Sequence, residues 1–75
     1  MKVNEIELQK LKAKYPVGTR IELVEMDDIQ APPPGTLGTV IGVDDIGSLL
    51  VRWDNGSSLN LLLEIDHFRK LDTND

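Results

Sequence analysis

The run Gly35-Thr-Leu-Gly-Thr-Val-Ile-Gly-Val-Asp-Asp-Ile-Gly-Ser-Leu-Leu-Val-Arg-Trp-Asp-Asn-Gly-Ser57 constrains this chain more than any other segment. Two apolar strands closed by turns lead into a third, which points to a small β-barrel. Within the run, Asn55-Gly56 is the strongest short hairpin signal a sequence offers. A two-residue type I′ turn needs φ > 0 at both central positions, and Asn and Gly adopt that conformation at least cost. Nothing in these residues assembles a reaction centre.

Seventy-five residues make one domain, of a size at which folding buries only about 60% of the unfolded surface. The chain has no Cys and a single His. A disulfide framework, a thiolate metal site and a His-cluster site are therefore all excluded, and the core must stabilise the fold unaided. The lack of Cys fits a cytoplasmic protein. No apolar run approaches the roughly 18 residues that span a bilayer, and the N-terminus carries alternating charge where a signal peptide needs an apolar stretch. The expectation is a soluble, intracellular domain with no membrane contact and no cofactor.

The net charge of -5 is unevenly spread. Residues 1–14 hold Lys2, Lys10, Lys12 and Lys14 against Glu5 and Glu7, a net of +2. Residues 15–71 hold Arg20, Arg52, Arg69 and Lys70 against nine carboxylates, a net of -5, and Asp72 and Asp75 add two more negative charges. A phosphate-binding face gains affinity from many Lys and Arg contacts, whereas an acidic barrel repels the polyanion, so direct nucleic-acid binding is disfavoured.

The chain opens with a helix signature over residues 1–15. Asn4 is placed to cap, Glu7 to reach back as the other half of a capping box, and Val3 and Leu8 to form a hydrophobic staple. Leu8, Leu11 and Tyr15 fall on one stripe, which packs on the barrel or docks a partner or a second copy. Pro16 ends the helix, because the residue before a proline is pushed out of the α region.

A barrel over 16–71 and a tail over 72–75 complete the chain. Thr19, Ile21 and Leu23 alternate with Arg20 and Glu22, the half-buried antiparallel pattern. Residues 25–35 form a long loop whose three successive prolines favour a stiff extended path. Residues 36–43 form the second strand, with Gly38 and Gly42 marking a bulge or tight bend. After an Asp44-Asp-Ile-Gly47 turn, Leu49, Val51 and Trp53 alternate with Leu50, Arg52 and Asp54. A fourth strand is expected through Leu59 and Leu61 and a fifth over 68–71. The fold class is mainly β: a small five-stranded SH3-like barrel with an N-terminal α-helix, with an OB-type barrel as the rival.

Five segments carry a family resemblance: Tyr15-Pro-Val-Gly-Thr-Arg-Ile-Glu-Leu-Val, Met26-Asp-Asp, Ala31-Pro-Pro-Pro-Gly-Thr-Leu-Gly-Thr-Val, Val51-Arg-Trp-Asp-Asn-Gly-Ser-Ser-Leu and Phe68-Arg-Lys-Leu. In combination they resemble the bacterial and phage family labelled domain of unknown function 4314, from Tyr15 onward. The resemblance implies a small SH3-like barrel and transfers no activity, substrate or catalytic residue. Leu63-Glu64 stands where a Pro-Gly turn is expected before the last strand, so a short helical turn takes its place.

Candidate sites each compete with a structural role. Asp27-Asp28 and Asp44-Asp45 are carboxylate pairs of the kind that serve acid-base chemistry or hold a hard cation, yet sequence neighbours seldom converge and Asp beside Gly or Pro caps turns. His67 has no visible second ligand or nucleophile, and Ser57 and Ser58 lack a nucleophile elbow. Gly35-Thr-Leu-Gly38 lacks the Lys-Ser/Thr ending of a phosphate cradle, and Asn55-Gly-Ser57 is explained by its turn. Trp53, spaced with Leu49 and Val51, is a barrel lid or, in the sharper reading, a ligand platform. That reading brings Asp27, Asp28 and Pro33 beside Trp53 to receive a basic or proline-rich protein segment. Three functions follow: a non-catalytic protein-interaction or accessory module first, a nucleic-acid-associated barrel of a phage or mobile element as the alternative, and an enzyme last, since no nucleophile, base and oxyanion donor can be assembled.

Overall fold

The structure is a computed structural model that describes residues 4–71. Asn4 caps helix α1 (Glu5–Lys14) by accepting the Glu7 backbone N–H on Oδ1 at 2.9 Å, which satisfies one of the orphan donors of a helix start. The Val3 half of the expected staple and the 72–75 tail lie outside the described residues. Glu5 and Glu7 occupy the first turn and Lys12 and Lys14 the last, opposing the helix dipole. The helix stops at Tyr15, whose backbone leaves the α region (φ -128°, ψ 69°) immediately before Pro16.

Four antiparallel strands follow: β1 (Arg20–Glu25), β2 (Leu37–Val43), β3 (Leu49–Trp53) and β4 (His67–Lys70). They form one sheet in the order β3-β2-β1-β4, so the first strand lies between the second and the last. The alternation read from the sequence holds. Ile21 and Leu23 of β1, Val40 of β2, and Leu49, Val51 and Trp53 of β3 point inward, and Leu61 joins them to make the core. Each such side chain contributes about 1.5–3 kcal/mol of burial. Tyr15, Met26, Val43, Leu63 and Phe68 pack around its margin, with the Tyr15 and Phe68 rings 5.5 Å apart and tilted by 56°.

Two bulges bend the sheet. In the β2–β3 ladder Val40 opposes Val51 and Gly42 opposes Leu50, leaving Ile41 as the extra residue. This is the bulge expected at Gly42. In the β1–β4 ladder Leu23 opposes Phe68 and Glu25 opposes His67, leaving Val24 extra. An unpaired residue breaks the inside–outside alternation and raises local twist. Accordingly Ile41 and Val24 are both about half exposed.

Two expectations are corrected. The fourth strand, expected through Leu59 and Leu61, is a single bridge between Leu49 and Leu61, so the sheet has four strands instead of five and is not closed into a barrel. The register is that of a hairpin: Trp53 N–H donates to Ser57 O at 3.0 Å, and Leu49 and Leu61 exchange bonds at 2.9 Å. The middle rung, which would join Val51 to Leu59, is missing because Leu59 O instead accepts the Trp53 indole Nε1–H at 2.9 Å. The turn before it is not type I′ either. No non-glycine among the described residues has positive φ; Gly56 alone in this turn does, at 94°. Gly56 N–H returns to Trp53 O at 2.9 Å and Asn55 Oδ1 accepts from Ser57 N–H. The result is a three-residue loop ending in a left-handed glycine.

Gly38 is required for a different reason from the bulge it suggested. It opposes Trp53, and a Cβ there would sit 2.7 Å from Trp53 Cε3 and 2.8 Å from Val51 Cγ1. Both neighbours are core side chains that cannot swing away. Gly38→Ala should therefore cost about 1–3 kcal/mol by overpacking. Gly42→Ala, whose new methyl meets Leu50 Cδ1 at an ordinary 3.5 Å, should stay within about 0.5 kcal/mol of wild type. Urea unfolding followed by Trp53 fluorescence compares the two, and equal losses would refute this account of Gly38.

Candidate functional site

The loop over residues 26–36 holds three of the four residues singled out from the sequence, and it is internally tied. Asp28 organises its tip: its Oδ1 accepts from Gln30 N–H at 2.7 Å and its carbonyl from Ala31 N–H at 3.0 Å. This is the turn-capping role of an Asp. Pro32 is buried, while Pro33 and Pro34 are exposed. Thr36 returns both its N–H (3.1 Å) and its Oγ1–H (2.6 Å) to Pro33 O, around Gly35 at φ 93°. Proline followed by a left-handed glycine in this closed turn matches type II geometry. Leu23 and the loop's far end are laced by Gly35 N–H to Leu23 O (2.8 Å) and Leu23 N–H to Thr36 O (2.9 Å). Asp27 and Asp28 remain exposed, and Ile29 beside them is 100% exposed.

Trp53, the fourth residue, lies in the core at 1% exposure. It acts on this end of the molecule from beneath: Asp54 N–H donates to Leu37 O at 2.8 Å, so the Trp53 hairpin sits beside the chain leaving the loop. Among the described residues no hydrogen bond or ion pair joins Asp27 or Asp28 to it. The other pair behaves as a turn. Asp44 Oδ1 accepts from Ser48 N–H at 2.8 Å and Ile46 N–H at 3.2 Å. His67 is exposed on β4, and among the described residues no three His, Cys, Asp or Glu side chains gather to hold a metal. No described helix is long and apolar enough to cross a membrane.

A second feature, a groove formed where three segments meet, escaped the sequence reading. The segment after Leu61 makes one helical turn, with Ile65 N–H and Asp66 N–H both donating to Leu62 O, as the Leu63-Glu64 departure anticipated. Asp66, only 8% exposed, locks it by accepting Leu62 N–H on Oδ2 at 2.9 Å. This turn, the 46–48 turn and the Glu7–Leu11 face of α1 enclose an apolar groove of about 570 Å³, in which Ile46, Leu62 and Ile65 remain 41–65% exposed. A smaller hollow of about 390 Å³, shared with Lys14, Tyr15 and His67, continues from it past Leu11 and Leu63. Each residue is unremarkable alone; only the approach of three distant segments makes the trough.

The outward face of the sheet is charged and paired. Arg20 grips Asp54 with two parallel bonds (Nη1 to Oδ1 2.9 Å, Nη2 to Oδ2 2.7 Å) and also bonds Thr39 Oγ1. Arg69 places Nε and Nη2 on Glu22 Oε1. The hydrogen bonds from Arg20 hold the Asp54 carboxyl below its ordinary range, and Arg20 is raised in turn.

The family model described as Domain of unknown function (DUF4314) matches residues 4–71. The chain belongs to that family. The DUF4314 match takes in α1 as well as the strands, a wider span than the resemblance read from Tyr15 onward. The family assigns no activity. Comparison with curated proteins and with solved structures gives no match.

In this DUF4314 domain the Arg20–Asp54 pair predicts a pH effect of definite sign. A carboxyl whose folded pKa lies below its unfolded value stabilises the fold above the unfolded value and loses that contribution as pH falls through the folded one. Wild type should exceed Asp54→Asn in stability at pH 7, with the difference closing below about pH 4 and shrinking in high salt. Thermal unfolding of both proteins from pH 7 to pH 2 checks this, and a gap that widens with acid would refute it.

Proposed function

We propose that the domain is a non-catalytic protein-interaction module of SH3-like form, working in the cytoplasm and taking a basic or proline-rich segment on its 26–36 loop. The SH3-like reading is supported by the strand order, in which the last strand returns to the first, and by the Leu49–Leu61 bridge on the free edge of β3, where a fifth strand would run. The absence of Cys from the chain fits a reducing compartment.

One observation carries the functional reading: a loop tied by its own hydrogen bonds nevertheless keeps Ile29 fully exposed between carboxylates and prolines. Ile29 is the most exposed of the large hydrophobic side chains among the described residues, and covering an Ile by a partner is worth about 1.5–3 kcal/mol. Held outward, Ile29 offers an apolar contact at low ordering cost, and Asp27 adds attraction for a cation. Pro33 and Pro34 extend the surface.

A chemical-shift titration of the labelled full chain with Lys/Arg-containing and proline-rich peptides tests this. Shifts should concentrate at residues 26–36 and 54–57 and weaken with salt. Asp27→Lys should reduce affinity about threefold, the scale of a rim charge, and Ile29→Ser more. Asp28 is avoided because it shapes the turn. Peptides that leave these resonances unmoved at low salt would end the proposal.

A further inference from the structure

We infer that the outer edge of β4 pairs with the same edge of a second copy, antiparallel about a twofold axis at Leu71, so that residues 72–75 of each chain run along β4 of the other. The ladder shows which backbone groups are spare. Leu71 N–H donates to Arg20 O at 2.9 Å, which continues the register Ile21–Lys70, Glu22–Arg69, Leu23–Phe68. Bonded pairs alternate with unbonded ones along an antiparallel ladder. Arg69 and Leu71 therefore direct their backbone groups to β1. The N–H and C=O of Phe68 and Lys70 point the other way, where β4 is the end of the sheet. Among the described residues no backbone bond reaches them. His67, Arg69 and Lys70 are exposed along this edge. The opposite end of the sheet differs, since Leu61 bridges to Leu49 of β3. An open row of donors and acceptors is a template for another strand.

The sequence around Leu71 selects a second copy as the occupant. In His67-Phe-Arg-Lys-Leu-Asp-Thr-Asn-Asp75 the cations Arg69 and Lys70 precede Leu71 and the anions Asp72 and Asp75 follow it. Antiparallel pairing about Leu71 sets Lys70 opposite Asp72, Arg69 opposite Thr73, Phe68 opposite Asn74 and His67 opposite Asp75 of the other copy. The spare groups of Phe68 and Lys70 then meet those of residues 74 and 72, the positions that the same alternation leaves outward. No like charges stand opposite one another. Around the axis the two Lys70 and two Asp72 alternate in sign, so each lies closer to two opposite charges than to its like, which is on the diagonal. Lys70 is ready for such a carboxylate. Its Nζ and that of Lys14 stand 6.0 and 5.5 Å from the Tyr15 ring centroid, and neither forms an ion pair among the described residues. Lys70 Nζ donates to Lys14 O instead. The nearby carboxylates are engaged, Glu22 by Arg69 and Asp66 by Leu62 N–H. Glu25, opposite His67 on β1, lies two strand spacings, about 10 Å, from Asp75 of the other copy. Such an isologous contact joins two four-stranded sheets into one. Pairing over residues 67–75 alone is a small interface, so the dimer is weak and concentration-dependent.

Sedimentation equilibrium of the full chain tests the inference independently of any loop ligand. The average mass should rise from 8.4 kDa toward twice that value as concentration approaches about 1 mM. Lys70→Asp and Asp72→Lys each set like charges opposite, and each should weaken the dimer about tenfold with Trp53 fluorescence unchanged. An equimolar mixture of the two should recover it, because every rung then joins opposite charges. Register is read by crosslinking, since the chain has no Cys of its own. Leu71→Cys sets two thiols across the axis at a pair whose Cα atoms approach to about 4.5 Å, within disulfide reach. Arg69→Cys sets them four residues apart along the strands, about 14 Å. Under mild oxidation Leu71→Cys should form covalent dimer about tenfold faster than Arg69→Cys. A wild-type chain that is monomeric throughout, equal crosslinking at the two positions, or a charge mixture that stays monomeric would each overturn the proposal, as would an acidic peptide found along β4 of a chain that never dimerises.

Discussion

The close approach of Gly38 to Trp53 is the contact on which the rest of this structure depends. A domain of this size has one small core, and its largest side chain is the Trp53 indole, at 1% exposure. The ring fits because the facing residue on β2 has no side chain at all; even a methyl there would overlap two core groups. Burial of an indole leaves one polar atom to satisfy. Trp53 Nε1 finds Leu59 O at 2.9 Å, and that single bond ties the 57–61 segment to β3 where a regular ladder rung would otherwise stand. Leu61, fully buried, is delivered to the core by this tether and by its bridge to Leu49.

The polar architecture follows from the same economy. With the inward positions taken by apolar residues, Arg20, Glu22, Thr39, Asp54 and Arg69 are left to the outward face, where they pair across strands. Such exposed pairs contribute little each, so they register strands more than they stabilise them. The surface of the proposed peptide contact lies in the connections. The 26–36 loop is shaped by Asp28 and the Pro33–Thr36 turn, and the trough by α1, the 46–48 turn and the helical turn that Asp66 holds. These surfaces are made of loops positioned by a rigid sheet.

Much of this was legible because the governing residues act locally. Asn4 and Pro16 bound α1, the period-two runs set the inward faces of β1 and β3, Gly42 marked a bulge, and Asp28 and Asp44 capped turns as short acids do. Reading failed where a local signal had two solutions. Asn55-Gly56 permits a type I′ turn, yet the three-residue loop with only Gly56 left-handed was adopted, the register that pairs Leu61 with the inward-facing Leu49. The bulge at Val24 had no glycine to announce it, and the strand through Leu59 was lost to a side-chain donor that periodicity does not consider. Of the proposed binding residues, Asp27, Asp28 and Pro33 share the expected exposed loop, while Trp53 supports that end from inside the core.

By itself the sequence determined α1 with its cap and stop, the four strands, the Asp-capped turns, and which face of β1 and β3 is apolar, since these depend on the φ/ψ range, branching and hydrogen-bonding reach of residues within four positions of one another. Only the tertiary structure decided that Gly38 must be bare, that Leu59 bonds an indole instead of a strand, that Asp66 is buried, and that α1 borders an apolar trough. Each of those outcomes is a meeting of groups distant in the chain, and the energy of such a meeting is written in no single segment.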